Sequence, residues 1–216
     1  MKQFHLFVLS FLSAFTWNCG EKKATVETAA EQAPAQGGNV SYAVVTDSST
    51  FQWFATKITG AGHNGTFALK EGTLSMEQGI VKSGKFVADL SLIKVVDLTD
   101  PEMNAKLLNH LKSPDFFDVE KFPTATFEIT GTEKLNNDSV KVSGNLTIKD
   151  ITKNITFPAV ITTQGDEVNV KADFYIDRTE WGIKYNSGKF FKNLGDKLIK
   201  DEINFKIQLK ARKSAA

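Results

Sequence analysis

This chain of 216 residues has one cysteine, three histidines and five prolines, and no apolar run long enough to cross a bilayer as a helix. A single thiol, Cys19, excludes an internal disulfide. Past that cysteine only His63 and His110 remain, so no His-x-x-x-His pair and no Cys/His cluster can build a metal centre. Gly-x-Ser-x-Gly is absent, as is a glycine-rich loop opening a helix, which removes the signals of a hydrolase nucleophile and of a phosphate cradle. Charge of one sign is missing as well, with 26 Lys and Arg against 25 Asp and Glu. A balanced chain has no electrostatic footprint for nucleic acid, and none for an acidic membrane surface. The carboxylate pairs Asp115/Asp118 and Asp201/Glu202 have no evident partner and read as solvated. No catalytic residue, metal or organic cofactor is expected, and no nucleic-acid partner.

What is present starts with Lys2 and the ten-residue apolar run Leu6–Phe15, the size of a signal-peptide core. Cys19 follows four residues later, where acylation of its thiol and of a new amino group would anchor the mature protein to a membrane. The preceding Thr16-Trp17-Asn18 departs from the usual lipoprotein pattern, and an ordinary secretory leader is the alternative. Residues 20–39 carry no aromatic residue and a single Val, and are expected to form a flexible tether. The expected organisation is a signal peptide over 1–18, a lipidated Cys19 and tether over 19–39, one domain over 40–212 and a tail over 213–216. The expected location is the bacterial cell envelope or periplasm.

Within the domain, apolar residues recur every second position. Phe86-Ala88-Leu90-Leu92, Val168-Val170-Ala172-Phe174-Ile176 and Ile203-Phe205-Ile207-Leu209-Ala211 are the longest such runs, and Phe67-Leu69, Leu74-Met76, Phe127-Ile129, Val140-Val142, Leu146-Ile148 and Ile155-Phe157 repeat the period. Period two over so many segments means half-buried antiparallel strands. Turn residues at Glu77-Gln78-Gly79, Asn136-Asn137-Asp138 and Gln164-Gly165-Asp166 join them as hairpins. The fold class is all-β with one short helix, an up-and-down antiparallel barrel that the last run, Ile203–Ala211, closes. Pro101–Lys112 reads as the helix, capped by Asp100, with Met103, Leu107, Leu108 and Leu111 on one face; 187–196 reads as a loop or single turn.

Phe67, Phe86, Phe127, Phe174 and Phe205 take the inward phase, interleaved with the small Ala88, Ala172 and Gly144. Such mixing either fills a tapering core or lines a cavity, and the pattern leaves both open. Three segments decide more: His110–Gly131 with its exposed Phe116-Phe117, Val142–Pro158, and Phe174–Ile183 containing Asp177-Arg178-Thr179-Glu180-Trp181-Gly182. Together they resemble the YceI-like family over residues 40 to 212. That resemblance implies a secreted, lipocalin-like barrel around an elongated apolar cavity, a long lipid such as a polyisoprenoid as its ligand, and a carrier role without catalysis. It also implies that such barrels can pair, which leaves a homodimer open. The ligand-binding residues it points to are Phe67, Phe86, Ala88, Leu90, Phe116, Phe127, Ala172, Phe174, Ile176, Arg178 and Trp181. Arg178 either meets a ligand head group or pairs with Asp115, Asp118 or a backbone carbonyl beside Trp181. The alternative to a carrier is an envelope interaction domain with a filled core.

Overall fold

The computed structural model describes residues 25–136 and 138–214. The leader, Cys19, the Asn137 position of one expected turn, and the last two residues of the tail lie outside the described residues. The chain builds β1 (Thr28–Ala29), β2 (Val40–Val44), β3 (Thr50–Thr56), β4 (Gly62–Glu77), β5 (Ile80–Val95), α1 (Pro101–Lys112), β6 (Thr124–Asn136), β7 (Ser139–Ile148), β8 (Ile151–Gln164), β9 (Glu167–Asp177) and β10 (Glu202–Lys213). Every ladder among these strands is antiparallel.

A closed ring results. β10 pairs with β9 on one side and with both β2 and β3 on the other, and those two pair in turn with β4. With β2 and β3 taken as one strand interrupted at 45–49, and β1 set aside, the barrel has eight strands, and the last run closes it as the alternation implies. The hairpin at Gln78-Gly79 carries positive φ at both residues, 51° and 78°, the twist a two-residue turn needs to match its strands. A second such turn, Lys149-Asp150 with φ of 51° and 56°, joins β7 to β8 without the help of glycine.

Alternation places the inward set, and bulges correct its phase. Between Leu69 and Glu71 the β4–β5 register slips, which is why Phe67 and Leu69 at odd positions give way to Leu74 and Met76 at even ones. A larger slip lies between Asp89 and Lys94 of β5, opposite Ala68 and Thr66. There the Asp89 carboxylate accepts hydrogen bonds from the Ser91 N–H and hydroxyl and breaks the pleat. Leu92, in phase with Phe86 by sequence, is therefore 54% exposed, while Ile93 and Val95 turn in. Helix α1 is capped as its sequence implies, the Asp100 carboxylate accepting from the Met103 N–H at 2.8 Å. Leu107 and Leu111 of its apolar face pack toward the barrel, whereas Met103 is exposed. Among 187–196 lies a loop, followed by a single 3-10 turn at Gly195–Lys197.

The tether is where sequence and structure part. Residues 25–39 do not float; they form a strap that starts between β8 and β9 and continues against the barrel wall. Thr25 bridges Tyr175, β1 pairs with β8, the Ala35 N–H donates to the Ile129 carbonyl, and the Asn39 N–H to that of Met76. Composition missed this because, apart from Val26, which packs against the core, the strap is held by polar groups rather than by apolar payload. Its clasp is Asn145, on the outer face of β7 and buried under the strap. The Asn145 side chain accepts from the Gln32 N–H at 3.1 Å, donates to the Gln32 carbonyl at 2.6 Å, and accepts from the buried Asn154 amide at 2.9 Å. One side chain thus stands in for a neighbouring strand. Asn145→Ala is expected to lower the stability of the protein by about 1–3 kcal/mol, the consequence of stranding buried polar groups, and to raise amide exchange selectively over residues 28–36. Urea unfolding and hydrogen exchange measure the two effects.

Candidate functional site

Side chains pointing into the ring do not fill it. Phe67, Phe86, Phe127 and Phe205 all face inward, yet none is fully buried, because the space beside their rings is empty. Two chambers follow. The deep one has a volume of about 160 Å³ and the shallow one about 110 Å³. Both exceed several-fold the roughly 10–15 Å³ that a single water needs, whereas well-packed interiors keep few voids larger than one water.

The deep chamber lies between β4, β5, β6, β7, β8, β9 and β10, and Thr126 is the one polar residue on its wall. Gly144 of β7 makes room for the Phe127 ring on that wall, which a Cβ there would strike. The shallow chamber sits under α1, between the β3–β4 turn and the segment after β9, with Trp53, Ile93, Leu107 and Leu111 on its walls and Lys57 and His63 at its rim. Phe67, Phe117, Ile148 and Phe205 line both chambers and form the partition between them.

Aromatic rings run through both spaces as a connected seam. Phe86 leads to Phe127 at 6.4 Å between ring centroids, then to Phe157 at 5.5 Å and Phe174 at 4.2 Å. From Phe174 it continues to Phe205 and Phe67, each step 6.1 Å, and ends edge-on at Phe117, 5.6 Å away. Six strands contribute one ring apiece, and the segment after α1 contributes the last. Offset and edge-on pairs of this kind hold one another in place while leaving their faces available to an apolar chain.

The sequence-derived residues divide between the chambers. Phe86, Ala88, Leu90, Phe127, Ala172 and Phe174 line the deep one, Phe116, Ile176, Arg178 and Trp181 the shallow one, and Phe67 both. Two expectations about them change. Phe116 and Phe117 are tucked in rather than exposed, Phe116 packing against His110 at 5.0 Å and Tyr185 at 5.4 Å, with His110 also bonded to Asp115 at 2.9 Å. Arg178, meanwhile, has its fork committed to the protein. It donates to the carbonyls of Ile183 at 2.9 Å, Ile199 at 3.2 Å and Lys200 at 3.3 Å, and to the Asp201 carboxylate at 3.2 Å. Asp201, not Asp115 or Asp118, is the ion-pair partner, because the segment after β9 folds back to bring residues 199–201 over the guanidinium. Burial pushes Arg178 below the ordinary guanidinium range, and Asp201 and Asp177 pull it back up. Asp201 accepts in addition from the buried Ser187 hydroxyl at 3.0 Å, and the Trp181 indole donates to the Leu146 carbonyl at 3.0 Å.

The polar groups beside the β3–β4 turn are likewise occupied, except the buried Trp53 indole N–H on the chamber wall, which has no hydrogen-bond partner. His63 Nδ1 lies 2.8 Å from Asp97, whose other oxygen accepts from the Asn64 N–H at 2.9 Å. Burial works against ionisation of Asp97, but the hydrogen bonds from Asn64 and His63 outweigh it and hold its carboxyl below the ordinary carboxylate range. Among the described residues no group of three or more His, Cys, Asp and Glu side chains could hold a metal ion, and no helix is long and apolar enough to cross a membrane.

Sequence reasoning missed several lining residues. Phe205 takes the inward phase as the alternation predicts but lies outside the expected ligand-binding set, and Phe157 stands in an alternating run. Trp53, on β3, was not singled out, since Phe54 on the opposite face blurs the alternation of Phe51, Trp53 and Ala55. Leu107 and Leu111 were placed on the helix but not at the cavity.

A closed antiparallel barrel with an apolar, aromatic-lined interior and a helix across one end defines a lipocalin-like class of protein. Within it, residues 42–211 match the YceI-like domain, and the chain belongs to that family. A UPF0312 protein of Pseudomonas aeruginosa is 50% identical over 85 residues, 37% of this chain and 44% of that protein. Protein YceI of Salmonella arizonae is 33% identical over 103 residues, 48% of this chain and 51% of its own length. The chain thus spans about half the length of the curated relatives it matches. The fold is shared with Burkholderia cenocepacia BcnA, at a TM-score of 0.63 and 19% identity, over 77% of this chain and 98% of that one. It is shared equally with a polyisoprenoid binding domain from Saccharophagus degradans, at a TM-score of 0.62 and 14% identity, over 80% and 98%.

Replacing Arg178 separates its two roles. Arg178→Ala leaves Asp201 and three carbonyls without their donor, and a loss of about 3–5 kcal/mol in urea unfolding is expected. The amount of apolar ligand held per folded molecule should stay unchanged. A large loss of ligand with intact stability would instead assign the guanidinium to a head group.

Proposed function

We propose that this protein binds and carries a long apolar lipid, of polyisoprenoid or related fatty-chain type, without catalysing a reaction on it. The observation that carries this reading is the pair of adjoining apolar chambers threaded by one seam of seven aromatic rings. Left empty, a void costs roughly 24 cal/mol per Å³, or about 4 kcal/mol for the deep chamber alone, which a fold selected only for packing would have removed. The polyisoprenoid binding domain from Saccharophagus degradans, which shares the fold, supports a prenyl chain as the occupant. At roughly 0.3 kcal/mol per heavy atom, a ligand of about 40 carbons binds in the nanomolar to micromolar range before the competing bilayer is counted. Reversible loading suits a carrier.

Ala172 is the place to test this. It faces Ala159 across the β8–β9 ladder and lines the deep chamber. Ala172→Phe should plug the chamber and cut the lipid extracted from the purified protein several-fold, read by native mass spectrometry and organic extraction, with little change in melting temperature. Lys171→Phe, on the outer face, should leave loading as it was. If the core is filled instead, Ala172→Phe overpacks it and lowers stability by about 1–3 kcal/mol, and no lipid is extracted from the unaltered protein. That outcome favours an interaction domain.

We further propose that the protein is exported to the cell envelope and anchored through acylated Cys19, on the motif of a lone cysteine four residues after a ten-residue apolar core. Cys19→Ser should move the protein from the membrane fraction to the soluble one and remove the acyl mass. Membrane retention of the substituted protein, still cleaved near residue 19, defeats this assignment.

A further inference from the structure

The end of the barrel that holds the shallow chamber carries an exposed apolar surface among lysines. The β3–β4 turn and the segment after β9 are stitched together there: the Ile58 N–H donates to the Leu198 carbonyl at 3.0 Å, and the Lys200 N–H to the Thr56 carbonyl at 2.9 Å. Gly188 lies against the Leu198 side chain, which carries the surface on toward Phe190 and Phe191. Three large apolar side chains project from these loops into solvent, Ile58 at 58% exposed, Phe190 at 48% and Phe191 at 49%.

Lysines surround them. Between 184 and 200 the chain places Lys184, Lys192, Lys197 and Lys200 against a single acid of that stretch, Asp196, and Lys57 adds a fifth cation beside Ile58, while Lys189 is paired with Asp177. The Lys184 ammonium lies 4.7 Å from the centre of the Phe190 ring. In a chain of balanced overall charge this is a local segregation that a net-charge argument cannot see. Apolar tips on short loops, ringed by long cationic side chains, fit the boundary between lipid head groups and acyl chains, where the tips insert and the ammonium groups reach the phosphates.

Two further observations point to a bilayer rather than a protein. Lys57 and Ile199, which flank this surface, also line the shallow chamber, so the surface borders the cavity. The strap begins at this same end, with Thr25 bridged to Tyr175 and the Thr28 hydroxyl bonded to Glu180 at 3.2 Å, so an anchor at Cys19 would pull this end toward the membrane.

We infer that this end of the barrel docks on an anionic lipid bilayer through Ile58, Phe190 and Phe191 and the surrounding lysines, and so presents the shallow chamber to the membrane. Docking stands on the surface itself; its use in loading rests on the carrier reading above.

The test uses the full chain carrying Cys19→Ser, so that no acyl group confounds binding and any effect of the leader is common to all variants. Co-sedimentation is measured with vesicles of equal parts phosphatidylcholine and phosphatidylglycerol, and with vesicles of phosphatidylcholine alone. Binding to the anionic vesicles should exceed binding to the neutral ones and weaken in high salt. Combining Ile58→Ser, Phe190→Ser and Phe191→Ser should reduce it at least roughly tenfold with an unchanged circular dichroism melt, whereas Leu135→Ser at the opposite end should have no effect. Should the triple variant fail to fold, Lys192→Glu with Lys197→Glu, which keeps the apolar tips, is expected to show the same loss. Binding by the tip or the charge variant that equals binding by the parent chain overturns the proposal. So does a wild-type chain that ignores both vesicles but self-associates through this face in sedimentation velocity. Lipid extracted from the same samples separates the two readings: lipid present without vesicle binding removes docking alone, and docking without extractable lipid removes the carrier alone.

Discussion

An eight-stranded ring sets the width of its interior before any side chain is chosen, and most of this molecule follows from that width. Inward positions alternate along every strand, so a limited number of side chains must fill a fixed cross-section. Here the large ones are phenylalanines in mutual contact and the small ones are Ala88, Ala159, Ala172 and Gly144. Rings leaning on rings support one another without needing a filled centre. The space left over is the candidate site.

Polar chemistry is correspondingly kept out of the interior and gathered where the ring ends. Arg178, Asp201 and Ser187 tie the segment after β9 back over the barrel end, and Asp97 clips the beginning of β4 through His63 and Asn64. At the side, Asn145 and Asn154 hold the strap. Each of these groups is engaged by another side chain or by the backbone, and together they fix loops and strap to the barrel.

Much of the fold was legible because period two is a local property. The runs around Phe127, Phe174 and Phe205 predict inward faces that the ladders respect. Leu92 shows the limit: one Asx-type turn at Asp89 flips the phase, and nothing in an alternation pattern announces a bulge. The strap was illegible for another reason. Its composition is that of an unstructured tether, and it is ordered by partners such as Asn145 that lie more than a hundred residues away in the chain. At the site, chamber walls could be read from alternation, but the commitment of Arg178 could not, since its partners arrive on a segment whose path depends on the finished barrel.

The closing ladder of the ring also dictates when the protein can exist at all. Tyr42 pairs with Lys213 and Thr50 with Gln208, so contacts between the beginning and the end of the chain are those that seal the barrel. Nothing earlier in synthesis can substitute for β10, and until it emerges β9 and the split first strand are open edges with apolar faces. Long-range pairing of this kind makes for slow folding and a sticky nascent chain. The ring therefore has to be completed all at once, after the last strand is delivered, and the nascent chain needs shielding until then.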